Sequence, residues 1–146
     1  MKTFNLPGKP KALLFDIDLT LYTNEQWAHE QIAVQISHFA SLRGIEVHTA
    51  KQLIDEERTR REELTGKKTS LGNALTAFGI PISESIRWRE ELLHPEKFLE
   101  SDPLLRETLI ALAGRYSLAA VTNNPSLPAE RTLTALGVRD LFPILV

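Results

Sequence analysis

Apolar residues along this chain follow two different spacings, which divide it into three stretches. Short continuous apolar runs occur near both ends, at residues 12–15 and 118–121. Runs of this length that stop at polar or turn-forming residues predict buried strands of a parallel sheet. Between about residues 24 and 100 the apolar positions instead recur every three or four residues, which predicts amphipathic helices.

Four helices are predicted in the middle stretch, each marked by a capping residue at its start or a glycine after its end. They cover about residues 25–42 (capped by Asn24 and ended by Gly44), 50–64 (started by Thr49), 71–78 (ended by Gly79) and 83–92 (started by Ser83). The second helix carries two i,i+4 ion pairs, Glu56 with Arg60 and Glu57 with Arg61. Such a charge run is typical of a solvated helix face.

Helix and strand alternate in the last stretch. A helix over about residues 104–113 is started by Ser101 or Asp102, with Pro103 at its first position, and ends at Gly114. The next helix follows Ser126 and ends at Gly137, and residues 143–146 begin another core strand.

Two carboxylates lie two residues apart where the first strand ends. Asp16 and Asp18 belong to the segment Phe-Asp-Ile-Asp-Leu-Thr-Leu. Because side chains alternate along a strand, both acids should point the same way, about 6–7 Å apart. Ligands of open α/β sheets bind beyond the carboxyl ends of the strands, and like charges held there need a cation. The pattern predicts a magnesium site.

A second polar segment follows the second strand. Thr122, Asn123, Asn124 and Pro125 come directly after the apolar run. Because parallel strands share one carboxyl edge, these residues should lie beside the acids. Taken alone, the segment is more typical of a strand-to-helix loop in which Asn and Pro are ordinary turn formers, and only the first motif beside it favours a site.

The first motif, Asp-Ile-Asp-Leu-Thr-Leu-Tyr, resembles the Asp-x-Asp-x-Thr motif of the haloacid dehalogenase-like (HAD) hydrolases, with Leu19 replacing a small or polar residue. The resemblance implies that Asp16 is the nucleophile and forms an aspartyl phosphate. Asp18 would protonate the leaving oxygen and then activate water. Thr20 would orient the loop. Mg²⁺ would be held by the Asp16 carboxylate and the backbone carbonyl of Asp18.

The segment after the second strand resembles the family's second motif. That likeness implies a phosphate site in which the Thr122 hydroxyl and the backbone N–H of Asn123 donate to phosphoryl oxygens. The segment at residues 65–72 resembles the cap loop of the pyrimidine 5′-nucleotidase-like branch of the family. That resemblance also includes the first motif, Gly-Arg-Tyr, Thr-Asn and Leu-Gly-Val-Arg-Asp-Leu-Phe, so it extends over most of the chain.

The resemblance implies an α/β fold with two parts. Residues 1–23 and 100–146 would form an incomplete Rossmann-like core with a parallel sheet, and residues 24–99 an inserted helical cap that covers the site and selects the substrate. The cap segment at residues 65–72 contains Lys67 and Lys68. Either lysine could meet a substrate anion, although a solvated loop between helices explains the segment equally well.

Family members normally continue with a lysine motif and a further acidic motif. Here no lysine follows Lys97, and the acids after Thr122 are Glu130 and Asp140. We therefore expect the chain to be a fragment, truncated after the second motif.

Composition narrows the function classes. The net charge of −2 gives no basic surface for nucleic acid, and the absence of cysteine excludes disulfides, thiolate metal sites and a cysteine nucleophile. No run approaches the 18 or so apolar residues of a membrane span, and residues 1–8 lack the apolar stretch of a signal peptide, so a cytoplasmic location is expected. The four histidines have no metal-ligand spacing.

The sequence thus predicts a Mg²⁺-dependent phosphohydrolase acting on a small phosphorylated metabolite, either a nucleotide or a sugar phosphate. Alternatives of the same fold are a phosphomutase, a haloacid dehalogenase and a module without turnover. A dehalogenase attacks carbon and needs no leaving-group acid, so Asp18 favours a phosphatase. The sequence does not predict an oligomeric state.

Overall fold

The computed structural model describes residues 8–146 and contains, within that range, six α-helices and three β-strands. The strands are β1 (Ala12–Asp16), β2 (Ser117–Val121) and β3 (Ile144–Leu145). The helices are α1 (Glu25–Arg43), α2 (Val47–Thr65), α3 (Leu71–Leu75), α4 (Ile82–Leu92), α5 (Pro103–Ala113) and α6 (Ser126–Ala135). Five helices, α1 to α5, therefore separate β1 from the next strand of its sheet, and the predicted α/β class with a helical insertion is confirmed. Residues 1–7 of the predicted core segment lie outside the described range.

The three strands form one parallel sheet in the order β1-β2-β3. Asp16 at the end of β1 lies opposite Val121 at the end of β2. Beyond that pair, the Thr122 N–H donates to the carbonyl oxygen of Val146 at 2.8 Å, which extends the pairing of β2 with the last strand. The carboxyl ends of β1 and β2 are thus level at one edge of the sheet.

The two faces of the sheet differ in burial. On one face Leu118 and Ala120 are buried, and Phe15 packs edge-to-face on Phe142 with ring centroids 5.8 Å apart. On the other face Leu14 is 70% exposed and Ile144 is 54% exposed. The expectation that β1 is a buried strand is therefore wrong. Within residues 8–146 the Leu14 face stays open to solvent, and Leu13 and Phe15 on the other face are only half-buried.

The chain divides into two compact units, one made of the residues up to Glu25 together with His94–Val146, the other of Gln26–Leu93. We call the second the helical unit. The division falls near the predicted boundaries at 23/24 and 99/100, while the cap role assigned to the middle stretch stays a prediction. No helix in the described part of the chain is both long and apolar enough to cross a membrane.

The helical unit has its own apolar core. The core contains side chains from all four helices: Ile36, Phe39, Ala40, Ala50, Ile54, Ala74, Leu75 and Trp88. Gly44 and Gly79 follow helical segments with φ of +62° and +78°, the left-handed region that glycine adopts without steric cost. The predicted helix ends at these glycines are therefore confirmed.

Two predicted helix starts in the helical unit are wrong. The second helix starts at Val47 instead of at Thr49, because the extended Glu46 already places its carbonyl to accept the Ala50 N–H at 3.0 Å. The fourth starts at Ile82 instead of at Ser83, because Pro81 takes the extended conformation of an N-cap. In both places an extended residue precedes the helix and no side-chain hydrogen bond caps it, so a serine or threonine hydroxyl is not required as an N-cap.

One predicted ion pair of α2 is also wrong. Arg60 donates to Glu57, three residues earlier in the helix, at 2.8 and 2.9 Å. Glu56 instead accepts a hydrogen bond from the side-chain amide of Gln52 at 2.9 Å. The predicted pair of Glu57 with Arg61 is confirmed at 2.5 Å. Glu57 therefore receives both arginines.

The start of α5 agrees with its prediction. The Asp102 carboxylate accepts the Leu105 N–H at 2.9 Å, and Pro103 occupies the first helical position. The next helix differs slightly from its prediction, because Pro125 takes the N-cap position and Ser126 lies inside α6. The predicted left-handed residue after α6 is confirmed at Gly137, with φ of +74°.

Candidate active site

The two acids of the first motif lie at the carboxyl end of β1. Asp16 is the last residue of the strand and is exposed, and its Oδ1 accepts the Ile17 N–H at 2.9 Å. Ile17 is buried and anchors the chain as it leaves the sheet. Asp18 lies past the strand in a turn and is half-buried. The turn, rather than strand alternation, therefore sets the position of Asp18.

A tight turn carries the chain from Ile17 to Leu21. The Ile17 carbonyl oxygen accepts the N–H groups of Thr20 at 3.3 Å and Leu21 at 3.0 Å. Leu19, at the centre of this turn, has φ of +55°, which is the one positive value among the non-glycine residues of the described range. A side chain in this region is strained, so the turn is held in place by its hydrogen bonds and by the burial of Ile17 and Leu21.

Both carboxylate oxygens of Asp18 accept a hydrogen bond. The Tyr22 hydroxyl donates to Oδ1 at 2.5 Å, and the side-chain amide of Asn124 donates to Oδ2 at 2.7 Å. Asn124 also donates its backbone N–H to the Thr122 hydroxyl oxygen at 3.1 Å. One residue therefore connects the acid of the first motif to the threonine of the second.

The predicted residues of the second motif lie directly after β2. Thr122 is half-buried and Asn123 is exposed. With Asp16 level with Val121, the structure brings Asp16, Asp18 and Thr122 to one edge of the sheet. The roles of Thr122 and of the Asn123 N–H in phosphate binding stay predictions.

Thr20 lies at the surface of the same unit. It lines an open cleft of about 490 Å³ together with the residues that enter and leave the helical stretch, 21–24 and 98–100. Across this cleft the side-chain amide of Asn24 donates to the Phe98 carbonyl oxygen at 2.7 Å, which joins the two connecting segments. Thr20 is thus placed beside the connecting segments, and its predicted role in orienting the loop stays a prediction.

Sequence reasoning missed Tyr22 and Asn124. Tyr22 follows Asp18 by four residues, a spacing that closes a single helical turn, so its proximity had a local signal. Asn124 lies 106 residues from Asp18, and no local pattern relates the two.

The acids that follow Thr122 are used in ion pairs on the outside of this unit. Glu130 binds Arg139 at 3.0 Å, and Asp140 binds Arg106 through two contacts of 2.7 Å. The Arg106 guanidinium lowers the pKa of Asp140 through these hydrogen bonds. These ion pairs therefore connect α5 and α6 to the segment at residues 139–141, which precedes β3.

The strand ends present oxygen donors of the kind that Mg²⁺ binds, and a magnesium ion there stays a prediction. Mg²⁺ takes oxygen ligands, keeps several water molecules and commonly uses one or two protein carboxylates with substrate phosphate. Within residues 8–146 no group of three or more acidic, histidine or cysteine side chains could hold a metal ion, so water and phosphate would complete the shell. The exposed Asp16 carboxylate suits this role. The Asp18 carboxylate accepts a hydrogen bond at each oxygen, and the role of the Asp18 carbonyl as a second ligand stays a prediction.

The loop that contains Lys67 and Lys68 belongs to the helical unit and is held from α2. The Thr69 N–H donates to the Glu62 carboxylate at 3.0 Å, and the Arg58 side chain donates to the Thr69 carbonyl oxygen at 3.0 Å. Both lysines are exposed. Their predicted contact with a substrate anion stays a prediction.

Comparisons with known proteins give a fold likeness only. No protein-family profile matches the sequence. Among solved structures, the chain is similar to the HAD-hydrolase YfnB from Bacillus subtilis, whose orthorhombic crystal form was solved bound to magnesium. The identity is 17% and the TM-score 0.49, over 94% of this chain and 63% of that one. The chain thus spans less than two thirds of YfnB, and a likeness this low assigns neither family nor activity.

Proposed function

We propose that this chain carries the phosphoryl-transfer site of a HAD-type phosphohydrolase, which cleaves a small phosphate monoester with Mg²⁺. The substrate class is a nucleotide or a sugar phosphate. The observation that supports this proposal is the link through Asn124, which joins the Asp18 carboxylate to the loop of Thr122 beside Asp16. Separate turns with ordinary capping roles would not need this contact.

In the first step a carboxylate oxygen of Asp16 attacks phosphorus. The bond between phosphorus and the ester oxygen breaks, and that oxygen takes the proton of the Asp18 carboxylic acid, so an alcohol leaves. Asp16 then carries the phosphoryl group as an acyl phosphate, and Asp18 is a carboxylate. The Thr122 hydroxyl and the Asn123 N–H donate to the phosphoryl oxygens, where negative charge increases in the transition state.

In the second step a water molecule attacks the same phosphorus. Asp18 takes the proton of the attacking water, and the acyl phosphate bond breaks to return the Asp16 carboxylate and inorganic phosphate. Asp18 ends the cycle protonated, as it began. When bound, Mg²⁺ supplies positive charge against the transferring group, and the Asp16 carboxylate with the Asp18 carbonyl would hold it.

The test is phosphate release from a panel of nucleoside monophosphates and sugar phosphates, measured with MgCl₂ and with EDTA. We expect release that needs Mg²⁺ and that falls by roughly three orders of magnitude or more in Asp16→Asn, since the nucleophile has no substitute. The matched control is Asp102→Asn, an exposed acid of the same unit whose capping role asparagine can keep. The control should retain activity.

Three outcomes would contradict the proposal. They are no release from any phosphate ester, equal release with and without Mg²⁺, and undiminished release by Asp16→Asn. A 2-haloacid added to the panel separates the main alternative, because halide release without metal would assign the site to dehalogenation.

A further inference from the structure

The Asp18 side chain is held at both of its carboxylate oxygens. A carboxylate on a turn ordinarily rotates about two side-chain bonds, and here each of its oxygens has its own donor, the Tyr22 hydroxyl at 2.5 Å and the Asn124 amide at 2.7 Å. The two donors come from opposite ends of the sequence. They fix the plane of the carboxylate as well as its position.

Both donors are themselves held. Tyr22 is 7% exposed and follows the buried Leu21, whose N–H closes the turn on the Ile17 carbonyl oxygen. Asn124 is fixed through its backbone N–H on the Thr122 hydroxyl oxygen. Because neither donor depends on a flexible chain, the carboxylate of Asp18 is oriented before any substrate arrives.

The two donors are chemically different. An amide NH₂ group only donates, so the Asn124 contact requires Oδ2 to remain an acceptor. A phenolic hydroxyl both donates and accepts, so the Tyr22 contact survives whether or not Oδ1 carries a proton. Oδ2 is therefore held as an acceptor, whereas Oδ1 faces a partner that can either donate or accept.

We propose that Tyr22 and Asn124 are positioning residues for Asp18, which hold both oxygens of its carboxyl group in one orientation at the strand ends. The inference rests on the proposed function. In that function Asp18 protonates the leaving ester oxygen in the first step and takes the proton of the attacking water in the second, and both steps need its carboxyl group in the same place.

The test uses the full chain and two substrates that differ in their need for an acid. Glycerol 2-phosphate has an alkoxide leaving group that must be protonated, whereas p-nitrophenyl phosphate releases a stable phenolate without a proton. For Tyr22→Phe and for Asn124→Ala we expect kcat/KM on glycerol 2-phosphate to fall about 10- to 100-fold. Asn124→Ala removes the amide and keeps the backbone N–H to Thr122.

With p-nitrophenyl phosphate the first step should be nearly unchanged in both variants, while the second step still needs Asp18 as a base. We therefore expect a burst of nitrophenolate close to one equivalent of enzyme, followed by a slow steady rate. Tyr116→Phe is the matched control, since the chain has two tyrosines and Tyr116 lies before β2, away from this site. It should behave as the wild type.

A readout without turnover checks the contact itself. The side-chain amide of Asn124 should give a ¹H–¹⁵N signal that Asp18→Ala shifts and that Tyr116→Phe does not. The absence of that shift would overturn the inference.

The kinetic outcomes separate the inference from the proposed function. A parallel loss on both substrates without a burst would show a structural role and overturn the inference, as would wild-type kinetics in both variants. If the wild type hydrolyses neither these esters nor the wider panel, the proposed function falls and the inference falls with it. If only Asp16→Asn loses activity, the function stands and the inference alone is wrong.

Discussion

At the scale of single residues, the turn after β1 shows a conflict between local preference and the site. Leu19 lies at φ +55° with its side chain 56% exposed, so its burial provides little compensation for the strain. The conformation is imposed by the neighbours, because the Ile17 carbonyl oxygen must meet the N–H groups of Thr20 and Leu21. Strain of this kind gathers at functional sites, and here it lies between Asp18 and Thr20.

We expect Leu19→Asn to stabilise the protein, because asparagine tolerates the left-handed region better than leucine does. The gain should be about 0.5–1 kcal/mol, which raises Tm by about 2–4 °C in a domain of this size. Circular dichroism melts would measure it. Leu104→Asn is the control, since Leu104 is also exposed but lies in the first turn of α5 with ordinary backbone angles. Equal shifts in the two variants would contradict the explanation by strain.

At the scale of elements, α2 has a carboxylate shared by two arginines. Glu57 accepts from Arg60 at 2.8 and 2.9 Å and from Arg61 at 2.5 Å, and Arg61 continues to the Thr76 hydroxyl at 3.0 Å. These hydrogen bonds lower the pKa of Glu57 to about 2. The charge run of α2 is therefore partly an intrahelical network and partly a connection to the segment after α3.

The lowered pKa of Glu57 predicts a pH dependence of stability. A carboxyl whose folded pKa is depressed stabilises the fold above its unfolded pKa, near 4.5, and loses that contribution as the pH falls toward 2. We expect Glu57→Gln to lower the urea midpoint at pH 7, and the difference from wild type to shrink between pH 4.5 and pH 2. Glu56→Gln, which alters only the contact with Gln52, should have a smaller effect. A constant difference across this range would contradict the ionic explanation.

Helix ends were more predictable than helix starts for a physical reason. A residue that must take a positive φ is nearly always glycine, so Gly44, Gly79 and Gly137 were clear from the sequence alone. Any extended residue can precede a helix, and its carbonyl starts the hydrogen bonding without a side-chain cap. Thr49 and Ser83 were therefore misleading, because the backbone at Glu46 and Pro81 already began each helix.

At the scale of the whole molecule, the chain is two compact units, and the helical unit is continuous in sequence. Its apolar core is drawn from its own four helices, with Ile54, Leu75 and Trp88 each at most 1% exposed. The other unit is assembled from segments on either side of it. One core is thus local in sequence, while the other requires distant segments to meet.

We expect the segment 26–93 to fold alone into a helical domain, since its core needs no residue outside it. A domain of this size is marginally stable, at roughly 3–10 kcal/mol. Circular dichroism should show helix and a cooperative melt. In that segment Ile54→Ala should lower the free energy of unfolding by about 2–5 kcal/mol and either abolish the transition or sharply lower its midpoint temperature. The control is Leu53→Ala, because Leu53 is 38% exposed and its loss should destabilise the segment much less. A segment without cooperative unfolding would contradict an independent core.

The sequence alone determined the features that depend on near neighbours: the strands that end at Asp16 and before Thr122, the alternation of helix and strand, and the helix ends at glycine. These follow from spacing and backbone sterics within a few residues. Only the tertiary structure decided the contact between Asn124 and Asp18 and the exposure of Leu14, because each depends on which distant segment lies alongside. Side-chain chemistry identifies candidate acids, but the folded sheet edge decides which donors hold them.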